Sequence, residues 1–154
     1  MLYKNCDKSP DKVIESCIYF HNDYMECRVY YSKSGAEYCQ SSKHLSELMR
    51  LLNFINAMVW PRGLDGTGGM LYKASCLYAP RLYMTEDDCY DITMTTIVPY
   101  DYYKVTPLET EDFLTASCPE LMDALSPAIF MLLLGKLSLD EAIHYIKKNI
   151  IEVD

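Results

Sequence analysis

The sequence predicts one α+β domain spanning residues 1–154. Two patterns lead to that class. Residues 13–31 alternate apolar and polar side chains with the two-residue period of strands. The Leu-rich segment from Ser42 to Val59 and the whole C-terminal third instead repeat at helical spacing between capping residues. A third observation sets the domain count. No linker or internal repeat divides the chain, and 154 residues is close to the usual size of a single domain.

The first strand is predicted over Val13–Phe20 and the second over Tyr24–Tyr31, joined by turn residues at His21-Asn22-Asp23. Met25, Cys27, Val29 and Tyr31 point one way, Glu26 and Arg28 the other. A two-residue turn at Asn22-Asp23 pairs Phe20 with Met25 and Ile18 with Cys27, which puts the apolar sets of both strands on one face. Cys17 then lies across from Arg28, which makes a Cys17–Cys27 bridge geometrically implausible. Ser32 to Gly35 reads as a turn leading into a short third strand, Ala36–Cys39.

Ser41-Ser42 offers an N-cap for the first clear helix. Its stripe of Leu45, Leu48, Met49, Leu52, Ile55 and Val59 is expected to pack on the sheet, and Pro61 ends the segment. Further strands are expected at Met70–Tyr78 and Cys89–Val98, with a short extended piece at Leu82-Tyr83-Met84. In the C-terminal third, Thr106-Pro107-Leu108-Glu109 and Ser117-Cys118-Pro119-Glu120 read as successive capping boxes. Ser126-Pro127 reads as another helix start with Gly135 as its stop, and Ser138 to Glu141 as a last capping box. The run Ile129–Leu134 is apolar almost all round, so it is expected to be covered on every side.

Composition narrows the function classes. The net charge is −8 with only fourteen Lys and Arg and no basic stripe, which argues against a nucleic-acid ligand. The longest purely apolar run, Ala128–Leu134, is far short of the roughly 20 residues that cross a bilayer. Met1–Pro10 is polar and lacks the apolar stretch of a signal peptide, so a cytoplasmic location without membrane contact is expected. Seven cysteines with no Cys-x-x-Cys pair read as free, packed thiols.

A Leu-rich helix ending Leu51-Leu52-Asn53-Phe54-Ile55-Asn56 precedes strands. A proline-led apolar segment follows, Ser126-Pro127-Ala128-Ile129, running to Leu134-Gly135-Lys136-Leu137-Ser138-Leu139-Asp140-Glu141-Ala142. Over about residues 40–150 this pattern resembles the YbjN-like family. The resemblance implies the fold of type III secretion chaperones: a curved antiparallel sheet flanked by helices, a two-layer sandwich, commonly a homodimer. It also implies a chaperone-like or regulatory binding role, and no catalytic residue takes part in it.

No cofactor or metal is called for. Gly63–Gly69 lacks the Lys-Ser/Thr of a phosphate loop and runs into a strand. Glu86-Asp87-Asp88 with Asp91 reads as an exposed acidic turn rather than a cation site. The three histidines are scattered, and no thiol has the base and orienting group of a nucleophile in sequence reach. The compositional oddity is tyrosine, with fourteen residues. Trp60, Arg62, Tyr78, Arg81, Tyr83, Tyr100, Tyr102 and Tyr103 combine the aromatic and Arg types enriched at interface cores, although tyrosine also suits a half-buried sheet face. The expectation is a non-catalytic protein-binding module with a protein partner, itself a homodimer. The alternatives are a small acidic immunity or antitoxin-type inhibitor of a basic protein, and a small hydrolase or transferase using a Cys or acidic residue.

Overall fold

A computed structural model describes residues 1–59, 63–64, 70–71, 80–85 and 89–151, with 63–64 and 70–71 as backbone only. The chain runs β1 (Leu2–Lys4), a 3-10 turn at Pro10–Lys12, β2 (Val13–Phe20), β3 (Tyr24–Tyr31), α1 (Lys33–Ser41), α2 (Leu45–Met58), β4 (Gly63–Leu64), β5 (Met70–Leu71), β6 (Arg81–Met84) and β7 (Ile92–Pro99). Then follow α3 (Tyr100–Val105), α4 (Pro107–Asp112), a π-helical turn (Phe113–Ser117), α5 (Cys118–Leu133), α6 (Leu139–Ile146) and a second π-helical turn (Lys147–Ile151). Five strands form an open antiparallel sheet in the order β1-β2-β3-β7-β6, and β4 pairs with β5 in a separate hairpin. The α+β class is as expected.

The β2–β3 hairpin has the predicted register: Phe20 pairs with Met25, Ile18 with Cys27 and Cys17 with Arg28. Alternation then sorts the sheet into two faces. The inner face carries Ile14, Cys27, Val29, Met94, Val98 and Leu82, all buried. Phe20 shares that face through its pairing yet is 74% exposed, because it lies past the margin of the helical layer. The layer is built on α5, which packs against β2, β3, α1, α2 and α6.

Several helical readings change. The expected strand Ala36–Cys39 belongs to α1, whose buried residues Gly35, Ala36 and Cys39 recur at helical rather than strand spacing. The expected start at Ser126-Pro127 is interior to α5. Ser126 is fully buried and its hydroxyl donates back to Met122 O at 2.9 Å, so it caps nothing. Ser41 and Ser42 do not cap α2, which begins after His44. The Ser42 hydroxyl instead donates to Leu133 O at 2.6 Å and accepts from His44 N at 3.1 Å.

From Pro107 to Leu133 the chain is one helical run of 27 residues, passing through the π-helical turn without a cap at Ser117. Its length and composition would suit a membrane span, but 67% of its most apolar stretch is buried inside the fold, as in a core helix. It ends as the sequence predicts. Gly135 takes φ +67°, its N–H donates to Leu132 O, and Lys136 N–H donates to Met131 O, which together make a Schellman cap. The capping box at Ser138 and Glu141 is present and opens α6. The α2 stripe is buried at Leu48, Leu52 and Ile55, joined by Leu51, and it meets α5 and α6 as well as β6.

The two sheet edges differ. At β6, the Asn56 amide donates to Leu82 O and accepts from Leu82 N–H, both at 2.8 Å. One side chain thereby occupies the outward backbone groups as a neighbouring strand would. At the other edge, β1 covers β2 only from Val13 to Ser16: Leu2 pairs with Glu15, and Ser16 N–H donates to Met1 O at 3.0 Å.

Candidate interaction surface

Side chains on the outer face of the sheet fall into rows that run across the strands. Strand pairing puts Glu15, Tyr30, Thr93 and Tyr83 in one row. Cys17, Arg28, Thr95 and Arg81 make the next, and Tyr19, Glu26 and Ile97 a third. The helices that pack on the sheet do so through its inner side, so among the described residues no helix covers these rows.

The face is internally tied. The Arg28 guanidinium lies 5.0 Å from the centre of the Tyr19 ring, a cation–π distance. Arg28 Nε donates to Glu26 Oε1 at 2.7 Å, and His21 Nε2 sits 3.5 Å from Glu26 Oε2 while its ring stacks on Tyr24. The Arg28 hydrogen bond is the main cause that holds the Glu26 carboxyl below its usual range. Tyr83 and Thr95 hydroxyls hydrogen-bond at 3.1 Å. Burial raises the Tyr30 phenol. Arg81 is exposed and has no ion-pair partner among the described residues. Tyr19 is 47% exposed and Ile97 56%. The result is a band of aromatic rings around two arginines, with one Arg charge offset by Glu26 and the other without an ion-pair partner among the described residues.

The eight predicted interface residues separate. Arg81 and Tyr83 stand on this face. Tyr100, Tyr102 and Tyr103 lie on α3, partly buried against the core. The Tyr100 hydroxyl donates to His21 O at 2.8 Å and the Tyr103 hydroxyl to Glu111 at 2.6 Å, so they tie α3 to the hairpin and to α4. Trp60, Arg62 and Tyr78 lie outside the described residues, as do most of the Gly63–Gly69 loop, the Glu86–Asp88 turn and the rest of the strand expected at Met70–Tyr78. Tyr19, Tyr24, Tyr30 and Arg28 were not singled out. Their signal was the alternation that sends Arg28 and Glu26 away from the core.

Among the described residues no three His, Cys, Asp or Glu side chains converge as metal ligands. The six described cysteines are free thiols. Burial pushes the Cys27 thiol up to about 11 and those of Cys39 and Cys118 up to about 12. Thiols held neutral in this way are poor nucleophiles. Alkylation of the native protein near neutral pH is therefore expected to label exposed Cys89 and half-buried Cys17 first, with Cys27, Cys39 and Cys118 labelled only after unfolding. Peptide mapping by mass spectrometry checks this, and rapid native labelling of Cys118 would contradict it. The same shifts give a pH dependence. Below the ordinary thiol pKa of 9.0 these groups are protonated in both states and their contribution is fully present. Above it the unfolded chain releases protons that the fold retains, so stability is expected to fall as pH rises from about 9 toward 12.

Comparison with known protein families, curated proteins and solved structures finds no match to this chain.

Proposed function

We propose that this protein is a non-catalytic protein-binding module, chaperone-like or regulatory, that binds through the outer face of its sheet. The observation that carries the reading is the three-row surface, covered by no described helix, with Tyr19, Tyr30 and Tyr83 around Arg28 and Arg81. Tyrosine and arginine are the side chains that dominate interface energies, because each offers large rigid area and directed hydrogen bonds. A sheet also holds them in a fixed lattice, so little side-chain freedom is lost on binding. The Arg81 charge, unpaired among the described residues, fits a partner segment that presents a carboxylate among apolar groups.

Affinity capture with three forms of the protein tests this. They are the native chain, the double variant Arg81→Ala/Tyr83→Ala on the outer face, and Lys136→Ala just past the end of α5. A partner held by the native chain and by Lys136→Ala is expected to bind the double variant at least about thirtyfold more weakly, as loss of about 2 kcal/mol at a central residue would give. A partner that binds the double variant undiminished would overturn the reading, and so would the absence of any stable protein partner.

A further inference from the structure

Residues 1–12 are attached to the rest of the fold in an unusual way. Only Cys6 and Ser9 among them are buried, so little apolar surface holds the segment down. Polar clasps hold it instead. β1 adds three residue pairs to β2, Ser16 N–H donates to Met1 O at 3.0 Å, and the Tyr3 and Ser16 hydroxyls meet at 3.2 Å. On α5, the Asp123 carboxylate accepts from Lys8 N–H at 3.1 Å and from the Ser9 hydroxyl at 2.8 Å. At the far end the Ser32 and Ser34 hydroxyls donate to the Asp11 carboxylate at 2.8 and 2.5 Å.

The same segment is strained. Four described residues other than glycine have positive φ, and three of them are Asn5 at +72°, Asp11 at +56° and Lys12 at +55°. Asn and Asp enter that region at modest cost, whereas Lys has no side-chain compensation for it. Few buried apolar contacts together with a strained backbone place a segment at the low end of local stability.

We infer that residues 1–12 are a releasable strap, which leaves the body as a unit while the rest of the fold stays intact, and so gates the edge of β2. Ser16 directs its N–H outward to Met1, and the two-residue period of the strand sends the backbone groups of Ile14, Ile18 and Phe20 outward as well. No described segment pairs with Cys17–Phe20. Release of the strap therefore extends the unpaired edge along the whole of β2. The gate does not depend on the outer face's being a binding surface.

Cys6 reports the release. Its thiol is buried beneath the segment and donates to Tyr3 O at 3.7 Å. Alkylation of the folded protein is expected to reach Cys6 after Cys89 and Cys17 but well before Cys27, Cys39 and Cys118. Burial first and the Asp123 charge second raise the Cys6 thiol, so amide hydrogen exchange at Ser16 is read beside it by NMR. The Glu15 N–H, which points inward to β3, is the control and is expected to stay protected.

Variants shift the gate in opposite directions. Asp123→Ala and the double variant Ser32→Ala/Ser34→Ala, which each remove one clasp from outside the strap, are expected to speed both Cys6 labelling and Ser16 exchange about tenfold, as loss of a part-exposed charge-assisted hydrogen bond would. Lys12→Gly leaves both clasps in place and relieves the backbone, and it is expected to slow both processes about threefold, since strain relief exceeds the extra freedom that glycine gives the released chain. The Lys12–Asp7 ion pair that it removes is exposed and adds little. Cys6 labelling no faster than that of Cys27 overturns the proposal, because the strap would then leave only with the whole fold. So does a Glu15 amide that exchanges together with Ser16, or a Lys12→Gly chain in which neither process slows.

Discussion

Leu125→Ala is expected to lower the free energy of unfolding by about 2–5 kcal/mol, the range for truncating a leucine in a close-packed core. Leu125 is fully buried in α5, the helix that touches β2, β3, α1, α2 and α6. A cavity at that position is bordered by several elements at once, and a junction of that kind relaxes less than a single interface would. Urea denaturation checks it through a lower midpoint at an unchanged slope. Leu134→Ala, a residue 46% exposed at the end of the same helix, is expected to stay within about 0.5 kcal/mol of the native chain. An unchanged midpoint for Leu125→Ala would mean that α5 is not the centre of the core.

The contrast between those two leucines marks where the sequence was readable. Ile129–Leu134 looks apolar on every side, which calls for cover all round. In the fold, Ile129, Phe130, Leu132 and Leu133 are buried while Met131 and Leu134 face outward. The neighbouring helices supply that cover within one chain, so the run does not itself call for a second copy. The hairpin was legible to the residue, because the two-residue period and a two-residue turn admit one register that puts both apolar sets together.

The outer face was legible as a set of residues but not as a surface. Alternation shows that Arg28 and Glu26 share a side; it does not show whether a helix lies on that side. That depends on where the later helices return, and their returns are set by long-range packing. The tyrosines illustrate the same limit. Tyr83 and Tyr100 both stand beside a proline-marked break, yet one lies on the open face and the other on a short helix with its hydroxyl on His21 O. Continuous helix from Pro107 to Leu133 was hidden for a related reason. Ser-Pro and Ser-x-x-Glu are start signals only when the preceding turn is not already helical.

Gly35→Val is expected to destabilise the protein by about 1–3 kcal/mol, the usual cost of overpacking a fitted contact. Gly35 reads naturally as a turn residue, and that reading produced the mistaken third strand. The position is in the first turn of α1, and what it supplies is space rather than backbone freedom. A Cβ there would sit 2.7 Å from the Tyr31 Cβ and 3.5 Å from the end of the Phe130 ring. The Tyr31 atom cannot swing aside, because it is fixed to the end of β3 and the Tyr31 hydroxyl donates to Met122 O at 2.6 Å. Phe130 meets Tyr31 edge-on at 4.8 Å and Tyr38 of α1 at 5.5 Å, so a shift of α1 would disturb three rings together. Helix propensity acts the other way, since replacing glycine in a helix gains at most about 1 kcal/mol and less for a β-branched residue. With valine the two extra methyl groups decide the sign. Thermal denaturation monitored by circular dichroism reads the result. A melting temperature equal to or above that of the native chain would show that α1 does not dock on Tyr31 through Gly35.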